Sequence, residues 1–303
     1  MTWTLSDIPS QKGKIVLITG ATSGLGYVTS KVLLSKSATV LMGYKSEKKA
    51  AKAKKAILSM NLAGNVDFIY IDLSDIFSVN KTASRVIKEY GRISTLINNA
   101  GVMGIPESYS NQGIEMHFAA NHLGHFALTK NLIPLLKKEP KARVVTITSG
   151  IQHFGRIDLS TIYQNSNYNR WDAYAQSKLA NVMFALELEQ KFKKDNLGIL
   201  SLLAHPGIAK TNLQKKSLEM SKSKIEYTFY KILNPLFQSA ENGALPQIYA
   251  STAPDVNSGD QYGPKYGFSG NPRKCQSAKK AFIVEDRKTL WDMSNNIIEK
   301  YTN

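Results

Sequence analysis

Tyr174 and Lys178 lie four residues apart in the run Asp172-Ala-Tyr-Ala-Gln-Ser-Lys178, inside a stretch of helical period. That spacing puts a phenol and an ammonium on one helix face, within reach of each other. A lysine cation beside a tyrosine favours the phenolate, so the pair predicts a phenol whose pKa falls from its reference near ~10 toward working pH. Such a group can act as general acid or base. A second run supplies a place for a cofactor. The apolar segment Lys14-Ile-Val-Leu-Ile-Thr-Gly20 leads into Gly20-Ala-Thr-Ser-Gly24-Leu-Gly26 and then into helix-compatible residues from Tyr27 to Ser35. Strand, glycine turn and helix in that order let backbone N–H groups approach a pyrophosphate at a helix N-terminus.

The elements that must position these groups can be read from hydrophobic period. Strand-like apolar runs fall at Ile15 to Thr19, Thr39 to Gly43, Val66 to Ile71, Thr95 to Asn98, Arg143 to Thr148 and Ile199 to Ala204, with a seventh strand expected near Gly259 to Tyr262. Between them, Val79 to Tyr90, Glu115 to Leu136 and Ala173 to Lys193 have helical period. The alternation predicts an α/β fold: a Rossmann-type, doubly wound, mostly parallel seven-stranded sheet with helices on both faces. Ligands of such sheets bind at the carboxyl ends of the strands, where both runs converge. The region from Thr211 to about Glu241 breaks the regularity; it is rich in Lys, Ser and Met, with apolar Ile225, Phe229, Ile232, Leu233, Leu236 and Phe237. This spacing suggests one or two short helices closing over a pocket.

Taken together, these motifs resemble those of the short-chain dehydrogenase/reductase family. Its Thr-Gly-x-x-x-Gly-x-Gly pattern is matched by Thr19 to Gly26, its adenine-side acid by Asp72 with Leu73, and its Asn-Asn-Ala-Gly strand end by Asn98 to Gly101. The catalytic set stands as Asn121, Ser149, Tyr174 and Lys178, and the segment that holds the nicotinamide carboxamide as Pro206, Gly207, Ile208 and Thr211. His122-Leu-Gly-His-Phe126, Gly259 to Phe268 and Leu290 to Ser294 are similar to the retinol-dehydrogenase-like and protochlorophyllide-reductase-like branch. The resemblance implies hydride transfer between nicotinamide and a carbonyl/alcohol pair. Tyr174 would be the proton donor and acceptor, Lys178 its partner and a ligand of the nicotinamide ribose, and Ser149 the group orienting the substrate oxygen. Asn121 would hold a water beside Lys178. The implied cofactor contacts are Gly20, Ser23, Gly24, Leu25 and Gly26 in the turn, then Lys45, Asp72, Leu73, Asn99, Ala100, Gly101, Tyr174, Lys178, Pro206, Gly207, Ile208 and Thr211. Strand two ends in Tyr44, Lys45 and Ser46, with no carboxylate to repel a 2′-phosphate, and Lys45 aligns with an arginine that many of the branch use to hold it. NADP(H) is therefore expected over NAD(H), although Lys lacks the planar two-point contact of Arg. The resemblance also implies a substrate lid over about 211–241, a small and apolar or lipid-like substrate, and association through the central helices in many relatives.

Composition bounds the rest. A chain of 303 residues without a Pro/Gly/Ser-rich linker is expected to form one domain, with a C-terminal extension over about 264–303. The single cysteine, Cys275, excludes an intrachain disulfide and fits a reducing, cytoplasmic location. Its neighbours Arg273, Lys274, Lys279 and Lys280 would favour a lowered thiol pKa. The net charge of +16 comes from lysines scattered along helices, without interleaved aromatics, which argues for a solvated surface and against nucleic acid. Loose attraction to anionic lipid is the better alternative. His122 and His125 lack nearby Cys or acidic partners, so no metal is expected. His153 and Phe154 are expected to line the pocket, and His205 to pack or cap. A dinucleotide sensor without turnover is the competing reading; it would not need Tyr174 and Lys178. A dehydratase or epimerase is disfavoured by the glycine spacing.

Overall fold

The computed structural model describes residues 3–163, 167–209, 212–221 and 237–301. Each apolar run becomes a strand: β1 (Ile15–Ile18), β2 (Thr39–Tyr44), β3 (Asn65–Tyr70), β4 (Thr95–Asn98), β5 (Arg143–Ile147), β6 (Leu200–Ala204) and β7 (Gln261–Pro264). They pair in parallel in the order β3-β2-β1-β4-β5-β6-β7. The sheet has eight strands, not seven, because β8 (Pro272–Cys275) adds antiparallel to β7 at the edge. β8 reads Pro-Arg-Lys-Cys and is largely exposed. A proline and two cations suit a sheet edge, where they discourage further pairing, but they carry no apolar alternation for a sequence to display.

Successive strand residues face opposite layers. Val16, Ile18, Val40, Met42, Ile97 and Val145 pack under α1 (Gly24–Ser35), α2 (Glu47–Leu58) and the helix at Ala240–Thr252. Leu17, Leu41, Ile69, Leu96 and Val144 pack under α3 (Ile76–Glu89), α4 (Gly124–Leu136) and α5 (Arg170–Lys194). Each such fully buried Val, Leu or Ile contributes about 1.5–3 kcal/mol. Completing the helices are α6 (Asn212–Ser221), α7, the Ala240–Thr252 helix, and α8 (Val284–Glu299). The strand order reverses between β1 and β4, which opens the crevice at their carboxyl ends.

Two departures from simple period matter for the site. The expected helix over Glu115 to Leu136 is broken: Phe118–Leu123 forms a π-helical turn, and regular α4 begins only at Gly124. A Cβ on Gly124 would lie 2.1 Å from the Leu73 carbonyl, so only glycine lets this turn approach the end of β3. Helix α5 starts three residues before the expected Ala173, at Arg170, because Asn169 accepts from the Trp171 and Asp172 amides and caps it. Ser37 takes up the left-handed conformation at φ 72°.

Helix α8 covers the outer side of α4 and α5, the face through which the family resemblance implied association. Trp291 stacks on Phe184 at 6.1 Å between centroids and meets Phe126 edge-on at 4.8 Å. Ser294 Oγ is 2.9 Å from His122 Nε2, and Arg287 reaches Glu187 at 3.4 Å in a buried pair. Replacing Trp291 with Ala should lower stability by about 2–4 kcal/mol through the void left between α4 and α5, measured by chemical denaturation; a change below about 0.5 kcal/mol, the size typical of surface sites, would refute this packing role.

Candidate active site

The glycine turn forms a tight cradle. Gly20 has φ +64°, and a Cβ there would lie 2.9 Å from Ala100 Cα; a Cβ on Gly26 would lie 2.6 Å from the Gly20 carbonyl. Ser23, with extended backbone, is the N-cap of α1, and Gly24, Leu25 and Gly26 form its first turn. The first-turn amides of a helix have no intrahelical acceptor, so with the helix dipole they seat an anion. Asn99 braces the cradle by donating from Nδ2 to the Thr19 carbonyl at 2.8 Å. These residues fit the pyrophosphate of a dinucleotide.

Beyond the carboxyl ends of β2 and β3, Lys45 and Asp72 meet. Lys45 Nζ is 2.7 Å from the Asp72 carboxylate and donates to Ser74 Oγ at 3.2 Å. Burial opposes the charge on Asp72, but hydrogen bonds from Lys45 and Ser74 outweigh it and hold the carboxyl below its ordinary range. Leu73 is buried in the core beside them. The Lys45 side chain remains 62% exposed, so its ammonium can turn toward an added anion while keeping its stem in place.

Across the crevice, Tyr174 and Lys178 are both buried on α5. The structure corrects the expectation that Lys178 draws the phenol's pKa down. Burial pushes Tyr174 up to about 12, with the Ser149 side chain pulling it partway back. Lys178 Nζ lies 5.9 Å from the centre of the Tyr174 ring, and burial pushes the lysine itself down to about 8. Desolvation thus outweighs mutual attraction at this separation. Lys178 donates to the Ile147 carbonyl at 3.2 Å, anchoring it at the end of β5. A buried ammonium on one neutral acceptor can accommodate further acceptors, such as ribose hydroxyls.

Asn121, on the π turn, commits its side-chain amide to neighbouring backbone and to Ser177. Its Oδ1 accepts from the Val102 amide at 2.7 Å, and its Nδ2 donates to the Val102 carbonyl at 3.0 Å and to Ser177 Oγ at 2.9 Å. The side chain is a two-point clamp on the segment after β4, with Gly101 beside it: a Cβ there would lie 2.8 Å from Asn121 Oδ1. Pro206, Gly207 and Ile208 follow β6; the Pro206 carbonyl accepts from Gln238 at 2.6 Å, and the Ile208 amide donates to the Phe268 carbonyl at 3.0 Å. Thr211 lies outside the described residues, as do Ile225, Phe229, Ile232, Leu233 and Leu236 of the expected lid.

A buried polar group beside Tyr174 escaped sequence reasoning. His117 Nδ1 lies 2.7 Å from Glu115, His117 Nε2 accepts from the Ile105 amide at 3.3 Å, and Tyr168 donates to Glu115 at 3.1 Å. The His117 and Tyr174 rings are 5.9 Å apart. Gly104, one residue earlier, accepts from Arg170 at 2.8 Å and from Ser217 of α6 at 3.0 Å. Glu115 and His117 are two apart, a spacing that points to no shared helix face, and only the break before the π turn brings them together. Other expectations fail or hold for plain reasons. Phe154, 83% exposed, lines an open pocket with Tyr168, Asp172 and Gln176, and His153 is exposed. Burial raises the Cys275 thiol despite its basic neighbours. His205 packs as expected, accepting from the Gly207 amide at 3.3 Å. His122 and His125 are buried and held neutral, pushed down to about 3 and about 4 by desolvation, and no metal-binding cluster occurs among the described residues.

Comparison with known proteins agrees with this geometry. The model of the short chain dehydrogenase family matches residues 14–222. The chain belongs to the short-chain dehydrogenase/reductase family. It is an oxidoreductase acting on the CH–OH/C=O pair. It is 32% identical over 297 residues to mouse (Mus musculus) retinol dehydrogenase 14, covering 94% of this chain and 86% of the relative. It is 31% identical over 294 residues to the polyprenol dehydrogenase of Danio rerio, covering 96% and 88%. Among solved structures, an uncharacterised protein from Mycobacterium paratuberculosis superposes with a TM-score of 0.80 at 32% identity, covering 99% of this chain and 98% of the other.

Proposed function

We propose that this short-chain dehydrogenase/reductase interconverts an apolar, isoprenoid-like alcohol and its carbonyl with NADP(H), and that Tyr174 moves the proton. When bound, the dinucleotide supplies or takes up the hydride. The observation that carries the reading is the burial of Tyr174 and Lys178 together on α5, the ammonium 5.9 Å from the phenol ring centre, with the Ser149 side chain acting on the phenol. A phenol held at about 12 keeps its proton at working pH, so it is loaded to donate to a carbonyl oxygen as negative charge builds there. Ser149 orients that oxygen. Lys178, charged below its midpoint of about 8, favours the phenolate left behind and holds ribose hydroxyls. Asn121 fixes the wall formed by Val102. Trp171, 6.4 Å from Tyr174, and exposed Ile208 and Met220 supply apolar surface near the opening, in keeping with the isoprenoid alcohols named for two relatives. Lys45 favours NADP(H): strand β2 runs into Tyr44, Lys45 and Ser46 without a carboxylate of its own, and the exposed ammonium, paired with Asp72 at 2.7 Å, is free to turn toward a 2′-phosphate. One large class of alternatives, a sensor without turnover, has no need of the buried phenol and ammonium.

Tyr174→Phe should reduce turnover at least a thousandfold while changing NADPH affinity less than about threefold, as expected for a lost proton donor that adds little to nucleotide affinity; fluorescence titration beside turnover of an isoprenoid aldehyde checks both, and retained turnover would remove the phenol from the reaction. Lys45→Glu should weaken NADPH roughly a hundredfold or more relative to NADH, because a carboxylate replaces the cation facing a phosphate; equal loss for both nucleotides would overturn the phosphate assignment. The pH profiles follow from the two titrations. Reduction needs protonated Tyr174 and charged Lys178, so its rate should be flat below the lysine's midpoint of about 8 and fall above it. Oxidation needs the phenolate with charged Lys178, so its rate should climb with pH and level off near that same point. Parallel profiles in the two directions would contradict the assignment.

A further inference from the structure

His125 is fully buried on the first turn of α4 and takes no part in the proton transfer proposed above. Its two ring nitrogens nevertheless join two parts of the site. Nδ1 lies 2.9 Å from the main-chain carbonyl of Asn121, and Nε2 lies 2.8 Å from Thr19 Oγ1. A carbonyl can only accept, so Nδ1 must carry the proton. Burial and the nearby Lys178 cation both oppose a second proton, which leaves Nε2 bare. The Thr19 hydroxyl therefore donates to Nε2. Its remaining lone pairs receive the Asn99 and Ala100 amides, each at 2.9 Å. The Ile97 carbonyl, a second acceptor within reach of the hydroxyl, is more distant at 3.4 Å, so the closer Nε2 takes the hydrogen.

We propose that His125, as the neutral Nδ1–H tautomer, is a positioning residue that locks the catalytic π turn to the floor of the dinucleotide cradle through Thr19. The π turn shifts backbone hydrogen bonding away from the α-helical pattern, and the imidazole of the following turn satisfies the Asn121 carbonyl. The same ring fixes the hydroxyl that receives the Asn99 and Ala100 amides just past β4, where these residues face the glycine turn. A change in either region is therefore transmitted to the other by a rigid, fully satisfied network. Phe126 and the aromatic cluster around Trp291 pack the neighbouring turn, but none of them offers a hydrogen bond that would replace this one.

The link to the cofactor rests on the function proposed above, whereas the network itself does not. The test begins with wild-type protein carrying 15N-labelled histidine. NMR should show one ring with protonated Nδ1 and bare Nε2 across about pH 6–8, assigned to His125 by its disappearance in His125→Phe; an Nε2–H tautomer or a charged ring there would overturn the network. Thr19→Ser keeps the hydroxyl and should bind NADPH as wild type does. Thr19→Val loses it and should weaken NADPH roughly five- to tenfold, the scale of a lost buried hydrogen bond. His125→Phe should weaken NADPH by a similar factor, and the double variant should be little worse than either single one. Additive losses, or unchanged affinity in a folded His125→Phe, would refute the coupling. Should His125→Phe fail to fold, the Ser/Val pair at Thr19 still decides. Failure of wild-type protein to bind NADPH would instead refute the proposed function, and the tautomer measurement would then stand alone as the test of the network.

Discussion

Removing one ammonium and one phenol from water is the constraint around which this site is arranged. Lys178 and Tyr174 sit one helical turn apart under the ends of β4 and β5, and burial drives both toward their neutral forms. A protein can tolerate this only if the surrounding framework is held rigidly enough to supply fixed dipoles in place of solvent. The Ile147 carbonyl, Ser149 hydroxyl and the Asn121–Ser177 hydrogen bond do so from three different elements. In the reaction proposed for this site, that makes Tyr174 a proton donor that stays loaded and Lys178 a cation ready to favour its conjugate base.

The rest of the fold can be understood as the support for that arrangement. Reversal of strand order between β1 and β4 opens the crevice, and the α4–α5 layer closes its floor. Gly124 permits the π turn to press against the Leu73 carbonyl, which brings Asn121 to Val102. Helix α8 then backs α4 and α5 with Trp291 and the buried Arg287–Glu187 pair. The crevice thus has a firm wall on the side of the reacting groups.

Much of this was legible from residues alone, and the reasons are specific. Thr95–Asn98 was legible because Thr95, Leu96 and Ile97 are apolar or β-prone and run into the Asn-Asn-Ala-Gly turn. The cradle was legible because its glycines are demanded by sterics: at Gly20 and Gly26 any side chain would collide with backbone. The eighth strand was not, since Pro272–Cys275 is an exposed edge whose pairing comes from its neighbour and not from its own period. The π turn was hidden because a shift of one residue in hydrogen-bonding register leaves the apolar spacing almost unchanged. Spacing correctly placed Tyr174 and Lys178 together but gave the wrong sign for the phenol, because sequence shows proximity and not depth of burial. The Lys45–Asp72 pair and the Glu115–His117 contact were likewise beyond reach, as each depends on a loop conformation.

The most direct test of this account is a site-resolved titration of Tyr174 and Lys178 in the intact protein, by NMR of 13C-labelled tyrosine and 15N-labelled lysine with assignment through Tyr174→Phe and Lys178→Met. The account predicts that Lys178 loses its proton near pH 8 while Tyr174 keeps its own throughout that transition. A phenolate forming near neutral pH beside a lysine that stays charged to its ordinary range would contradict it.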